Sequence, residues 1–469
     1  MRMSVAATLL LVLGLPSFSP AFAGAEAEKG ALPTAAPVEE VFREWISVFN
    51  SGDKAGIKAF YGRYLDDPEP TFAIDQAEDT CGFDVVRMEP ATRTPLAMSV
   101  LLAERCFPAL HRLTIKFAVA GDTVPKEFKL KSFALSPQSA IDAMVATADR
   151  LAARQKFAGA LLVANGNGEV WSEGWGTLNK TEKALITADT PMFLASAGKM
   201  FTAVAVLQLV AQGKVDLDAP FGRYLTDYPN KDMATATIRQ LLQHRGGTDD
   251  IGILARDEGP NRARVRTIDD IIQLNGARAP LFPPGSKFDY SNYGFLLLGA
   301  VVERVSGQTY YDYVKRHIFE PAGMTNAGFP DLEHLEGVAT GYTTFFGEEP
   351  ELISHRDVLP WRGTPAGGGV ASANDMLGFF RALSAGKMLP PGLLELATTP
   401  GDPSWYGLGF VTVRGDSSYW GHGGDSYGMN VAASYYPESG TIFLCLATRD
   451  SACGRLHSRW HHRTYGLTK

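Results

Sequence analysis

The 469-residue sequence has few cysteines, no large excess of one charge and no long apolar run beyond its first residues. Its 44 basic and 51 acidic residues give a net charge of −7, so it lacks the basic surplus that binding a nucleic acid requires. No run reaches the roughly 20 apolar residues of a membrane span, and we expect none in the mature chain. With 45% hydrophobic and 20% charged residues, the composition is that of a globular protein of two or three domains.

The four cysteines are too few for a small scaffold held together by disulfides. In an oxidising compartment the most economical pairing is Cys81 with Cys106 and Cys445 with Cys453. Four cysteines allow three connectivities, and the sequence does not choose among them. Free buried thiols are an alternative that the sequence also leaves open.

The first residues have the pattern of a secretory signal peptide. Arg2 precedes an apolar run from Val5 to Leu15, and Ala21-Phe22-Ala23 is a small-residue cleavage pattern. We therefore expect cleavage of residues 1–23 near Ala23 and export to the periplasm or the cell exterior. Residues 24–37 are the expected linker to the first domain.

Residues 38–137 have the patterns of a small α+β domain, with helices first and strands afterwards. Apolar side chains recur at helical spacing at Val38, Val41, Trp45, Val48 and Phe49. Further along, apolar side chains alternate with polar ones at Leu113, Ile115, Phe117 and Val119. This order resembles the cone-shaped domain of nuclear-transport-factor-two-like (cystatin-like) proteins.

Residues 139–469 have strand patterns at both ends and helical patterns between them. After a helix from Ser139 to about Arg154, strands over 158–164 and 169–175 flank a glycine-rich turn. Because the turn lies inside a hairpin, it is not a dinucleotide-binding loop. Strand patterns return over 407–413, 430–436 and 441–447. A sheet built from both ends of a unit, with helices inserted, is an α+β fold rather than a βαβ series.

Ser196 and Lys199 form an S-x-x-K pattern at the start of a predicted apolar helix that extends to Gln212. One helical turn separates the two side chains, so they lie on the same face and can touch. Apolar residues surround the helix, and burial lowers the pKa of a lysine amine. The pair is therefore a candidate nucleophile with its proton acceptor. A helix cap beside a solvated lysine is the alternative interpretation.

Tyr290 and Asn292 lie where a loop meets the start of a second apolar helix. Beside an ammonium group, the Tyr290 phenol can be held closer to phenolate and serve with Lys199 as the general base for serine. The alternative is an amphipathic tyrosine with Asn292 as a helix cap.

The segment Trp420-Gly421-His422-Gly423-Gly424 precedes the last predicted strands. A glycine pair at a strand edge lets a substrate lie close to the backbone, and the amide of Asp425 can help polarise a carbonyl oxygen. We therefore name His422, Gly423, Gly424 and Asp425 as candidate substrate-binding residues. The alternative is a glycine bulge beside a packed histidine.

The motifs Ser196-x-x-Lys199, Tyr290-x-Asn292 and His422-x-Gly424, in that order, resemble those of the serine beta-lactamase-related family. That family includes class C beta-lactamases, D,D-carboxypeptidases, D-aminopeptidases and related esterases. The resemblance spans about residues 150 to 450. It implies a beta-lactamase/D,D-peptidase-like fold and a serine hydrolase that forms an acyl-enzyme with a small ester or a D-amino-acid-containing peptide.

The resemblance also implies roles for these residues. Ser196 attacks a carbonyl, and Lys199 and Tyr290 move the proton. The amides of Ser196 and Asp425 hold the oxyanion, while Asn292 and His422 orient the substrate. The family's beta-lactamases usually have lysine where His422 stands, which favours the peptidase and esterase branches. A beta-lactamase, or a catalytically weak penicillin-binding-like sensor, is the alternative.

We expect neither a cofactor nor a metal. His457 and His461 have a metal-ligand spacing on a predicted C-terminal helix, but no glutamate lies between them as in zinc peptidases. The expected partner is a small molecule or short peptide. The sequence does not indicate the oligomeric state.

Overall fold

A computed structural model of the chain describes residues 37–89, 94–250, 265–345, 352–415 and 417–466. The predicted signal peptide and almost all of the predicted linker lie outside these residues. Among the residues described, no helix is long and apolar enough to cross a bilayer.

The first part of the chain is three helices followed by an antiparallel meander. The helices are α1 (Pro37–Ser51), α2 (Lys54–Tyr64) and α3 (Thr71–Thr80). The strands, adjacent in chain order, are β1 (Phe83–Met88), β2 (Ala97–Glu104), β3 (Leu110–Lys116) and β4 (Glu127–Ser132).

Both sequence periodicities in this part are seen in the structure. Trp45, from α1, packs with Leu113 and Ile115 of β3 in one apolar core. Alternation fails at Val119, which is exposed and lies beyond β3. The likeness to a cystatin-like domain and its boundary at residue 137 stay predictions.

The second part of the chain is built on a six-stranded antiparallel sheet with the order β11-β12-β13-β14-β5-β6. Its strands are β5 (Gly159–Ala164), β6 (Val170–Trp175), β11 (Val411–Val413), β12 (Tyr419–Ser426), β13 (Met429–Tyr436) and β14 (Thr441–Ala447). The predicted hairpin at 158–175 is therefore confirmed, and β5 pairs with β14 from the other end of the chain.

Two predictions about the late strands were wrong. The strand predicted over 407–413 is confined to 411–413, because Gly409 has a φ of 81° just before it. The segment around His422 lies inside β12 and is paired on both sides over part of its length. Its glycines had hidden a strand, since glycine is depleted in strand patterns.

Helices cover both faces of this sheet. They are α4 (Pro137–Ala153), α5 (Lys199–Ala211), α6 (Ile238–Leu242), α7 (Ile268–Asn275), α8 (Asn292–Ser306), α9 (Tyr310–Val314), α10 (Glu320–Ala322), α11 (Ala373–Ser384), α12 (Pro391–Thr398) and α13 (Ala452–Tyr465). Short strand pairs join β7 (Met192–Phe193) to β10 (Val370–Ala371) and β8 (Tyr342–Thr343) to β9 (Ile353–Ser354).

The helix starts follow from local capping chemistry. The side chains of Thr237, Thr267 and Ser372 each accept a hydrogen bond from a backbone amide of the first helical turn and form a capping box. At its other end α8 stops at Gly307, whose φ of 71° suits glycine.

The two faces of the sheet have separate cores. α5 packs with α8 and α11 in one apolar core, to which Leu162 of β5 and Leu444 of β14 contribute. α4 and α13 pack in the other, with Phe443 of β14 and Trp460. This helix–sheet–helix arrangement confirms the predicted α+β class.

Both disulfides form, in the pairing that was the most economical of the three connectivities. Cys81 joins Cys106 beside the first sheet, and Cys445 of β14 joins Cys453 of α13, each with a Cα–Cα distance of 5.4 Å. The second pairing fixes α13 to the sheet on which it packs.

A row of arginines on α13 contacts the first part of the chain. Arg455 donates to Asp79 at 2.6 Å, and Arg459 donates to Glu104 of β2 at 2.9 Å. Arg463 also pairs with Glu104, which is completely buried. The three arginines recur every four residues, so they share one face of the helix. We call Arg455, Arg459 and Arg463 the arginine row.

Glu104→Gln tests the arginine row. The substitution leaves two buried guanidinium groups without their shared carboxylate, so we expect a loss of about 3–5 kcal/mol in the free energy of unfolding. Asp227→Asn removes the partner of Arg304 in an exposed pair, and we expect little change there. Urea denaturation of both variants measures the difference. Equal stability of the two variants would contradict the stabilising role of the Glu104 carboxylate.

Candidate active site

Ser196 lies in a single 3₁₀ turn, Ala195–Gly198, directly before α5. Ala195 has a φ of 44°, a left-handed conformation that is costly for a residue with a Cβ. Two glycines press against this turn. A Cβ on Gly424 would lie 2.9 Å from the Ser196 amide nitrogen, and one on Gly367 would lie 3.1 Å from it. Glycine at both positions therefore allows β12 and the 367 loop to approach the nucleophile.

Lys199 begins α5 and is completely buried. Its Nζ lies 3.1 Å from Ser196 Oγ, 2.6 Å from Asn292 Oδ1 and 2.7 Å from the carbonyl oxygen of Ala366. Burial lowers the pKa of Lys199 to about 7, against a smaller opposing effect of Asp250. The predicted contact with serine and the predicted lowering of the lysine pKa are both confirmed.

The protonation state predicted for Tyr290 was wrong. Burial raises the pKa of its phenol to about 12, although a hydrogen bond with Ser196 opposes the change. The Lys199 amine lies over the ring, with Nζ 4.8 Å from the centroid. Tyr290 is therefore a protonated neighbour of the nucleophile, and Lys199 is the group that titrates near neutral pH.

Asn292 is free to face the site because its neighbour caps the helix. The Ser291 side chain accepts from the amide of Gly294, so Ser291 is the N-cap of α8. The Asn292 side-chain nitrogen donates to Asp250 at 3.1 Å, and its backbone amide donates to the same carboxylate at 3.3 Å. Its oxygen is thereby turned toward Lys199.

His422 is buried in β12, two residues before Gly424. Its Nδ1 contacts the carbonyl oxygen of Gly423, and its Nε2 lies 3.0 Å from the hydroxyl of Tyr406. Burial and the charge of Lys199 lower the pKa of His422 to about 4, so the ring is neutral at pH 7. Both ring nitrogens are occupied by protein groups, which argues against the predicted contact with substrate.

The other predicted substrate-binding residues, Gly423, Gly424 and Asp425, follow His422 in β12 and have different neighbours. Gly423 pairs with Ala432 of β13, whereas Gly424 packs against the Ser196 turn. Asp425 lines the cavity beside Ser196, and its carboxylate accepts from Ser451 at 3.2 Å.

A cavity of about 190 Å³ opens beside Ser196, Asn292 and Asp425. Its wall is mostly apolar and includes Phe193, Ile271, Leu332, Leu335, Leu359 and Met429. The charged Arg362 also contributes. An engineered apolar cavity of about 150 Å³ holds benzene, so this one has room for a group of about that size.

Several site residues were missed by sequence reasoning. Asp250 and Tyr406 are far from the motifs in sequence, and nothing about their spacing pointed to the site. His244 lies outside the three motifs, and its Nε2 is 3.0 Å from the Tyr406 hydroxyl.

The C-terminal histidines pack around a buried tyrosine. His457 and His461 each lie 2.8 Å from the hydroxyl of Tyr436 in a packed cluster. The described residues contain no group of His, Cys, Asp and Glu side chains that could hold a metal ion.

This chain is similar in sequence to known proteins. A family model for beta-lactamase matches residues 142–465. A putative penicillin-binding protein, PbpX of Bacillus subtilis (strain 168), is 30% identical over 297 residues, which are 61% of this chain and 70% of that protein. Esterase EstB of Burkholderia gladioli is 30% identical over 244 residues, 48% of this chain and 60% of the esterase.

A solved structure is also similar to this chain. The penicillin binding protein from Bacillus halodurans superimposes with a TM-score of 0.61 at 29% identity, over 66% of this chain and 98% of that one. Residues 37–132, with the first sheet, lie outside the family match. Since the match covers more than half of the sequence, the chain belongs to the beta-lactamase family and is a serine hydrolase of that family.

Proposed function

We propose that Ser196 forms an acyl-enzyme with a small ester or amide whose acyl group is apolar. The observation that carries this proposal is the environment of Lys199 Nζ. A neutral lysine has two N–H donors and one lone pair, and Nζ faces two oxygens, Asn292 Oδ1 and Ala366 O. With both donors used there, the lone pair points to Ser196 Oγ and can accept its proton.

The proton of Ser196 passes through Lys199 and Tyr290 to the leaving group. Ser196 Oγ bonds to the substrate carbonyl carbon while its proton passes to Lys199. The leaving group departs with a proton from the Tyr290 hydroxyl, and Lys199 returns its proton to Tyr290. Water then attacks the acyl-enzyme and reverses these transfers, which releases the acid and restores Ser196.

The oxyanion is held by the backbone amides of Ser196 and Asp425. Gly424 brings β12 against the Ser196 turn, and Asp425 is the next residue along that strand. Ser196 also precedes the N-terminus of α5, whose dipole favours negative charge.

The cavity defines the acyl group. Its apolar wall adjoins the nucleophile, and apolar groups gain about 0.8 kcal/mol for each buried methylene. This favours an ester or amide with an apolar acyl chain or side chain, including D-amino-acid amides. The neutral, fully bonded His422 supplies no cation for a beta-lactam carboxylate, which places beta-lactamase activity second.

We further propose that the protein is exported and works in an oxidising compartment. The N-terminal signal pattern supports this, as do two disulfides, which persist mainly outside the cytosol.

Ser196→Ala tests the nucleophile. We expect at least a thousandfold loss in the hydrolysis of p-nitrophenyl butyrate, together with loss of labelling by a fluorophosphonate probe. Ser426→Ala makes the same change at another serine on the cavity wall, and it should keep the label. A wild-type protein that releases one equivalent of p-nitrophenol and stops would be a sensor and not a hydrolase.

The pH dependence tests Lys199 as the base. Since the neutral amine is the active form, kcat/KM for a neutral ester should rise with pH through about 7 and then level off. Asp250→Asn removes a negative charge that favours the ammonium, so the rising limb should move to lower pH. Asp218→Asn, at an exposed pair with Arg239, is the matched control and should leave the limb in place. A rising limb that moves to higher pH in Asp250→Asn would contradict the assignment of Lys199 as the base.

The cavity size predicts acyl-chain preference. With p-nitrophenyl esters of increasing length, kcat/KM should rise up to about fourfold per methylene until the cavity is filled, at about four to eight carbons. Leu335→Phe reduces the cavity and should move the optimum to shorter chains. Leu281→Phe makes the same change at an exposed position and should not. An optimum that is the same in all three proteins would place the acyl group elsewhere.

A further inference from the structure

Three buried polar side chains, His244, Tyr406 and His422, form a continuous hydrogen-bonded row beside Tyr290. The Tyr406 hydroxyl lies 3.0 Å from His244 Nε2 and 3.0 Å from His422 Nε2. All three residues are at most 6% exposed. They come from different regions of the chain, and we call them the histidine–tyrosine row.

The two ends of the row fix the tautomers of its histidines. The backbone amide of Ser291 donates to His244 Nδ1 at 3.1 Å, and an amide N–H cannot accept. A neutral His244 therefore carries its proton on Nε2. At the other end His422 Nδ1 faces the carbonyl oxygen of Gly423, which can only accept. A neutral His422 therefore carries its proton on Nδ1.

With these tautomers, all hydrogen bonds in the row are donated in the same direction, from His244 toward His422. His244 Nε2–H donates to the Tyr406 oxygen, and the Tyr406 hydroxyl donates to the unprotonated Nε2 of His422. Each donor meets an acceptor while both rings stay neutral. Burial and the charge of Lys199 favour the neutral forms of both rings, as does the interaction of His244 with His422. Tyr290 and Tyr406, the phenols that face the row, also remain protonated.

The row contacts the proposed proton path at one end, and at the other it includes β12, the strand that packs on the Ser196 turn. The His244 ring lies against the Tyr290 ring, with centroids 4.1 Å apart and planes tilted by 31°. His422 stands in β12 two residues before Gly424, which packs on the Ser196 turn. His244 has a φ of 55°, a strained conformation that its hydrogen bonds help to hold.

We propose that His244, Tyr406 and His422 are positioning residues that hold Tyr290 and β12 in register around Ser196. The row keeps one tautomer at each histidine, so His422 acts as a link in the protein and does not bind the substrate. This inference rests on the proposed function, because it assigns its effect to the proton path through Tyr290.

The first test reads the tautomers and does not depend on activity. In protein labelled with ¹⁵N-histidine, long-range ¹H–¹⁵N spectra distinguish the two neutral tautomers of each ring. The chain has nine histidines, and His244→Gln and His422→Gln assign the two signals by their disappearance. We expect the Nε2–H form at His244 and the Nδ1–H form at His422, both unchanged between pH 5.5 and 8.5. The same tautomer at both positions, or a ring that titrates in this range, would overturn the proposal.

The second test breaks the middle of the row. Tyr406→Phe should slow acylation of Ser196 by about 10- to 100-fold, since small displacements of a catalytic group have effects of this size. It should also shift the ¹⁵N resonance of the unprotonated His422 Nε2, which loses its hydrogen-bond donor, while the Gly423 carbonyl oxygen keeps the proton on Nδ1. Tyr436→Phe is a matched control, because Tyr436 is equally buried between His457 and His461 but lies in the core on the other face of the sheet. It should change neither readout. Equal losses in the two variants, or unchanged acylation in Tyr406→Phe, would refute the proposed role.

If Tyr406→Phe does not fold, replacement of His422 tests the row instead. The amide oxygen of His422→Gln can accept from the Tyr406 hydroxyl, whereas His422→Leu cannot. We expect the Gln variant to acylate about tenfold faster than the Leu variant, and equal rates would count against the row. A wild-type protein with no ester turnover but with the predicted tautomers would refute the proposed function and leave the row standing.

Discussion

The burial of one amine is the constraint on which the site depends. Lys199 can lie in the interior because α5 is apolar on nearly every side and packs between α8, α11 and the sheet. An ammonium group in such surroundings loses its hydration, and this loss brings the pKa of Lys199 to about 7. The same burial requires the N–H groups to find oxygens, which come from Asn292 on α8 and Ala366 in the loop before β10. The positions of three separate chain segments therefore set both the basicity and the direction of the amine.

Close backbone approach is the second requirement. Ser196 sits on a turn with a strained residue before it, and strands and loops reach this turn through glycines. A side chain at Gly424 or Gly367 would overlap the backbone of the turn, which explains why the third motif needs glycine at its final position. The cavity wall then follows from packing, since Phe193, Leu335 and Met429 belong to one small apolar cluster beside the nucleophile.

The first sheet is attached on the opposite side of the molecule from the nucleophile's helix. It contacts the arginine row of α13, and α13 packs on the face of the six-stranded sheet that α5 does not cover. Among the described residues, those that line the cavity beside Ser196 all lie between Phe193 and Met429 in the sequence. None of them belongs to the first sheet. The ion pairs of the arginine row therefore contribute to the attachment of this sheet.

The sequence by itself determined features that depend on short spacing. Ser196 and Lys199 touch because one helical turn joins them, the hairpin at 158–175 forms because its turn residues allow it, and the α+β class follows from the order of the periodic segments. The tertiary structure decided what depends on distant neighbours. Tyr290 is a phenol and not a phenolate, and His422 is buried with protein partners at both ring nitrogens. Asp250 orients Asn292 from outside every motif. Hydration, charge and hydrogen-bond partners are properties of a folded environment, and residues far apart in the chain create that environment.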